Sequence, residues 1–132
     1  MKFSLKKSED FKKVYENKKS FATKNLVLYI LKNGDMESNR LGISVSHKVG
    51  NSVVRHTLSR KMREIFRLND EKLKKGYDFV VVLRVGSDKT EFFELKEDYL
   101  KLCKKYITTY QKTQLRRLIN FKFERISSLL TS

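Results

Sequence analysis

The chain has 132 residues, 39% of them hydrophobic and 11% aromatic, which suits one domain with its own core and excludes a disordered basic tail. Its 30 Lys and Arg stand against 15 Asp and Glu, a formal net charge of +15, and a field of that size is costly unless an anionic partner answers it. The single Cys103 excludes a disulfide framework and a multi-thiolate zinc site; it fits a reducing compartment and reads as a small core residue. The N-terminal MKFSLKKSEDFKK is broken by charges every few residues, and no later stretch approaches a membrane span. The expectation is a soluble, cytoplasmic protein with no membrane partner. Proline is absent and the glycines are scattered, so no linker, repeat or low-complexity tract divides the chain.

In chain order, Ser8 is placed to cap a first helix whose opening turn carries Glu9 and Asp10, favourable against the helix dipole, with Phe11, Val14 and Tyr15 on one face and an end near Asn17. SFATKNLVLYILK is rich in β-branched and aromatic residues, and NGDMESN then supplies turn chemistry. In RLGISVSH, Leu41, Ile43 and Val45 alternate with Arg40, Gly42, Ser44 and Ser46, a strand with one apolar and one polar face.

After Asn51 the period becomes helical. Val54, Leu58, Met62, Ile65 and Phe66 fall within an arc of about 120° and predict a face packed on the sheet. His56, Arg60, Arg63 and Arg67 fall within about 60° on the other side, with Arg55 and Lys61 flanking the apolar stripe. YDFVVVLR predicts a buried strand, and EFFELKEDYLKLCKKY a helix with Phe92, Leu95, Tyr99, Cys103 and Tyr106 on its apolar face. Residues 1–110 are read as the domain and residues 111–132 as a basic helical extension, where Leu115, Leu118, Ile119, Ile126 and Leu130 keep helical spacing.

The chemistry concentrates between Lys48 and Arg67, where six basic residues face one acid, Glu64. Ordinary surface helices mix signs at i,i+4 spacing; here Arg60, Arg63 and Arg67 repel one another, which points to phosphate binding rather than a merely solvated face. KVGNS has the turn residues to lead a strand into a helix and to aim backbone N–H groups at an anion. Phe11, Tyr15 and Tyr29 offer rings on which unpaired bases can stack, with core packing as the alternative. His47 and His56 are the one conceivable acid–base pair, but histidines beside a basic element serve more often as phosphate contacts. There is no carboxylate cluster for two metals, no P-loop and no nucleophile elbow, so no catalytic residue is assigned to this chain.

RLGISVS (Arg40 to Ser46), KVGNSVVR (Lys48 to Arg55) and SRKMREIFR (Ser59 to Arg67) together resemble the RNR signature of the protein subunit of bacterial ribonuclease P. With EDFKKVY before them and LVLYIL between, the resemblance spans approximately residues 5 to 106. It implies an α+β fold, a single-domain α-β-β-β-α-β-α sandwich with a left-handed βαβ crossover. It also implies an RNA-binding subunit of a ribonucleoprotein that removes the 5′ leader of precursor tRNA, with catalysis and magnesium in the RNA subunit and no small-molecule substrate. By position, Lys48, Asn51, Arg55, His56, Arg60, Lys61, Arg63 and Arg67 resemble the contacts to the catalytic RNA. Phe11, Tyr15, Tyr29, Ser44 and Ser46 resemble the cleft for the single-stranded leader, on a different face. A metal site on the protein is not indicated either way. His56 and Thr57 replace the family's Asn-Arg, and Ser59 stands where a lysine is common. A ribosome-associated or general RNA-binding protein using the same ridge, and a protein-only nuclease using His47 and His56, are the competing readings.

Overall fold

The computed structural model describes residues 4–34 and 38–131; for 72, 107–114, 123 and 126–131 it describes the backbone alone. Asp35, Met36 and Glu37 of the expected turn, and the side chains of Ile126 and Leu130 in the expected stripe, therefore lie outside the described residues.

Helix α1 is Ser8–Glu16, with Lys7 rather than Ser8 at the N-cap and no side-chain cap bond. The N–H groups of Asp10 and Phe11 both reach the Lys7 carbonyl, at 3.1 and 3.4 Å, so the first turn closes one residue before the serine. Glu9 and Asp10 still sit in that turn, where the exposed N–H groups favour negative charge. Asn17 ends the helix, and its side-chain amide donates to the Ile30 carbonyl at 2.9 Å, tying α1 to the sheet.

SFATKNLVLYILK forms two strands, β1 (Ser20–Ala22) and β2 (Leu26–Lys32). Thr23 turns the chain between them, its hydroxyl oxygen accepting from the N–H groups of Asn25 and Leu26, both at 3.3 Å. Strands β3 (Arg40–Val45) and β4 (Tyr77–Leu83) complete a sheet of order β1-β2-β4-β3. All pairs are antiparallel except β3 with β4, which are parallel and joined through helix α2 (Ser52–Asn69). The order α-β-β-β-α-β-α is the one expected, closed by α3 (Phe92–Thr131).

Register separates two faces. On one, Leu28 lies opposite Val81 and Val81 opposite Ile43, with Ile30, Phe79 and Leu41 as the next row. Phe79 takes Phe66 of α2 at a ring separation of 6.5 Å and Tyr99 of α3 at 6.4 Å, so α2 and residues 92–102 cover this face. Leu58, Met62, Ile65 and Phe66 are buried there as the spacing predicts, while Val54 at the start of the stripe is only partly covered. On the other face, Tyr29, Val80 and Gly42 form one row and Val27, Val82 and Ser44 the next. Here α1 supplies Val14, Phe11 and Tyr15, which join Leu5 and Val80 in a smaller cluster.

A charged pair lies at the end of that second face. Asp78 is 3% exposed, and Arg40 on the neighbouring strand grips it with two bonds of 2.8 and 2.7 Å, while Asn33 adds a third at 2.9 Å. The same guanidinium lies 3.7 Å from Asp10 of α1, linking the helix to the sheet.

Asn51 caps α2, its side-chain oxygen accepting from the Val54 N–H at 3.0 Å. Asn51→Ala is therefore expected to lower stability by about 1 kcal/mol in chemical denaturation, whereas Asn51→Asp keeps an acceptor and holds stability near wild type. An unchanged Asn51→Ala midpoint would remove the cap from the account of how α2 starts.

The chain clusters into two compact units, Met1–Leu102 and Cys103–Ser132. In the second, Cys103 is buried and Leu115, Leu118, Ile119 and Phe121 are exposed. Among the described residues, no helix is long and apolar enough to cross a membrane.

Candidate nucleic-acid interface

Helix α2 presents its cations along its outer surface. Lys48, Asn51, His56, Arg60, Arg63 and Arg67 are exposed, and Arg55 and Lys61 partly so. Glu64 is held by Arg67, with bonds of 2.5 and 3.1 Å, and this contact draws the Glu64 carboxyl below its usual range. Arg67 is thus the one arginine of the ridge with an acid of its own. Lys48, Arg55, Arg60, Lys61 and Arg63 make no ion pair among the described residues. The Arg55 Nε is buried with no hydrogen-bond partner. Five uncompensated cations are what a phosphate backbone would satisfy.

The ridge is not one surface. Arg63 turns to the side of α2 that meets the N-terminal segment, where it lines a hollow with Lys6, Phe11 and Ile43. Arg60 and Lys61 line a separate hollow with Thr57, Glu64 and Phe92. Phe11 and Arg63, expected on different faces, therefore share a wall. The reason is the Ser4–Leu5 segment, which pairs with β3 through a bridge to Leu41 and a 2.9 Å bond from Leu5 N–H, and so wraps the sheet edge between α1 and α2.

The aromatic residues form the second site. Tyr15 and Tyr29 meet edge to face, with centroids 4.9 Å apart and planes at 88°. Ser44 lies beside the Tyr15 phenol, and burial holds that phenol above its ordinary value of 10.0. Ser46 lies just past β3, exposed. The Phe11 ring comes against the strand at Gly42: a Cβ built there would lie 2.7 Å from two atoms of the ring, so only glycine lets the ring seat there. Along the outer edge of α1, Phe11 and Tyr15 line a broad hollow with Lys6, Ser8, Lys12, Glu16 and Lys18.

Sequence patterning missed Lys6, Lys12 and Lys18 as members of these hollows, since nothing in a scattered lysine marks which ring it borders. It placed Phe92 on the apolar face of its helix with Leu95 and Tyr99, which are buried, whereas Phe92 is partly exposed. Among the described residues, no three His, Cys, Asp or Glu side chains are grouped to hold a metal.

Residues 1–107 match the ribonuclease P family. The chain belongs to that family. It is 52% identical over 104 residues to the ribonuclease P protein component of Lachnoclostridium phytofermentans, covering 79% of this chain and 89% of that protein. The Clostridioides difficile component is 48% identical over 102 residues, covering 76% and 89%. Among solved structures, the RNase P protein of Thermotoga maritima superposes with a TM-score of 0.70 at 35% identity, over 77% of this chain and 96% of that one. The Staphylococcus aureus protein gives 0.71 at 29% identity, over 77% and 93%. The chain is accordingly the protein subunit of the ribonuclease P holoenzyme, a tRNA-processing ribonucleoprotein, and its partner is the ribonuclease P RNA.

Proposed function

We propose that the subunit grips two RNA segments at once: the ribonuclease P RNA along α2, and the single-stranded 5′ leader of precursor tRNA under α1. The observation that carries the leader site is the Tyr15–Tyr29 pair with Ser44 beside it and Phe11 over Gly42. Aromatic faces accept any base, and hydroxyls at their rim offer polar partners, a combination suited to a leader read with little sequence preference. Lys6, Lys12 and Lys18 border the hollow that Phe11 and Tyr15 line along α1 and favour the backbone phosphates. On α2 and the turn that leads into it, the unpaired cations Lys48, Arg55, Arg60 and Lys61 fit phosphates of the RNA subunit, and Asn51 and His56 stand among them as polar contacts.

The hydrolysis and its magnesium ions we place on the RNA subunit; this chain's part is to bind and position. Arg63, sharing a hollow with Phe11, lies where the two RNA tracks would come closest.

The experiment compares Tyr29→Ala in the reconstituted holoenzyme on precursor tRNA with a leader and on mature tRNA. Affinity for the leader-bearing substrate is expected to fall by about 1–3 kcal/mol, and that for mature tRNA to stay near wild type. Equal losses on both would dismiss the leader site while leaving the RNA-subunit face standing.

A further inference from the structure

Phe92 opens α3 on the α2 side of the sheet, away from the face that α1 covers. Its ring is partly exposed and closes one end of an open hollow of about 400 Å³, whose other walls are Thr57, Arg60, Lys61 and Glu64. Arg60 and Lys61 stand three and four residues after Thr57 and four and three before Glu64, so one flank of α2 supplies all of them. The only acid in that wall is occupied by Arg67, which leaves two cations beside the ring with no carboxylate to answer them. Thr57 donates its hydroxyl to the Val53 carbonyl at 2.9 Å, so its oxygen retains only acceptor capacity. A ridge that met only phosphates would have no use for an aromatic wall; a base with its phosphate uses the ring, the acceptor and the cations together.

We propose that this hollow is a nucleotide site: an unpaired base of the RNA subunit stacks on Phe92, and its phosphate is held by Arg60 and Lys61. The site rests on the reading of α2 as the RNA-subunit face and adds to it a contact that is neither electrostatic nor part of the leader cleft. Because stacking releases no counterions, it contributes affinity without steepening salt dependence.

The protein contains no tryptophan, so Phe92→Trp creates a single fluorophore inside the hollow. Phe93→Trp provides the control: Phe93 is 66% exposed, lies outside the lining, and has the Lys96 ammonium 6.0 Å from its ring centroid. On titration with the ribonuclease P RNA, the emission of Phe92→Trp is expected to be quenched as the complex forms, and that of Phe93→Trp to stay nearly unchanged. Phe92→Leu, which keeps an apolar side chain against the core, is expected to bind about 5- to 140-fold more weakly, from the stacking energy of one base. Its slope of log affinity against log salt stays at the wild-type value, whereas Arg60→Ala lowers that slope by about one. Tight binding of Phe92→Trp with unquenched emission, or wild-type affinity for Phe92→Leu, overturns the site and leaves the α2 reading intact. If wild-type protein fails to bind the RNA subunit, both fall.

Discussion

Arg40→Met is expected to destabilise the fold by about 3 kcal/mol, measured as the shift of a urea midpoint at constant slope. Asp78 is 3% exposed, and Arg40 meets both of its oxygens, at 2.8 and 2.7 Å, in the planar two-bond geometry a guanidinium alone provides. Without Arg40 the carboxylate keeps only the Asn33 amide, and a buried charge left half-satisfied is far costlier than the pair itself is favourable. Removing one partner of a buried pair costs about 3–5 kcal/mol; the 38% exposure of the Arg40 side chain admits water and places the expectation at the lower end. Arg40→Lys restores charge but not the paired bonds, and stands between methionine and wild type. The double variant Arg40→Met, Asp78→Asn removes the stranded charge and recovers most of the loss. If Arg40→Met melts with the wild type, the pair does not hold α1 and β3 in place.

That pair also shows what the sequence conceals. Leu41, Ile43 and Val45 mark one face of β3 by alternation alone, though only Leu41 is fully buried there, and the helical spacing of Leu58, Met62, Ile65 and Phe66 declares the face that α2 buries. Periodicity reports which residues face inward because burial is repeated along an element. Asp78, inside a run of hydrophobic residues, has no such marker: its burial depends on Arg40 and Asn33 arriving from two other places in the chain. The cap of α1 slipped for a similar reason, since a serine before acidic residues carries the local signal, yet the bonds run to the Lys7 carbonyl.

The same logic separates what was legible at the interface. Clustered arginines on α2 pointed to an outward cationic face because charges of one sign at helical spacing repel, and Arg60, Arg63 and Arg67 are indeed exposed. Their division into two flanks was not legible. A helical wheel places Arg60 and Arg63 in one arc, but the N-terminal segment rises on one side and α3 begins on the other, so one arginine borders Phe11 and its neighbour Phe92. Neither neighbour is near α2 in sequence. Arg60 and Arg63 are consequently not interchangeable, although both are exposed.

Gly42→Ala is expected to damage stability and leader binding together. The added methyl would stand 2.7 Å from Cε1 and Cζ of Phe11 and 3.2 Å from the Cβ of Leu5, distances that force the ring off the strand. Overpacking of this kind costs about 1–3 kcal/mol, which the denaturant midpoint reads directly. Displacing Phe11 also disturbs the wall it shares with Tyr15, so holoenzyme carrying Gly42→Ala loses affinity for precursor tRNA with a leader while retaining its affinity for mature tRNA. Adding Phe11→Leu separates the two effects. A shorter, flexible side chain relieves the contact, so the double variant recovers much of the stability of the fold, but it has no ring to offer a base. Its selectivity for the leader therefore stays low, by about 1–3 kcal/mol relative to wild type. Recovery of both properties in the double variant would mean that Gly42 serves only packing and that Phe11 does not meet the leader. Recovery of stability alone ties the glycine, through the ring it admits, to substrate recognition.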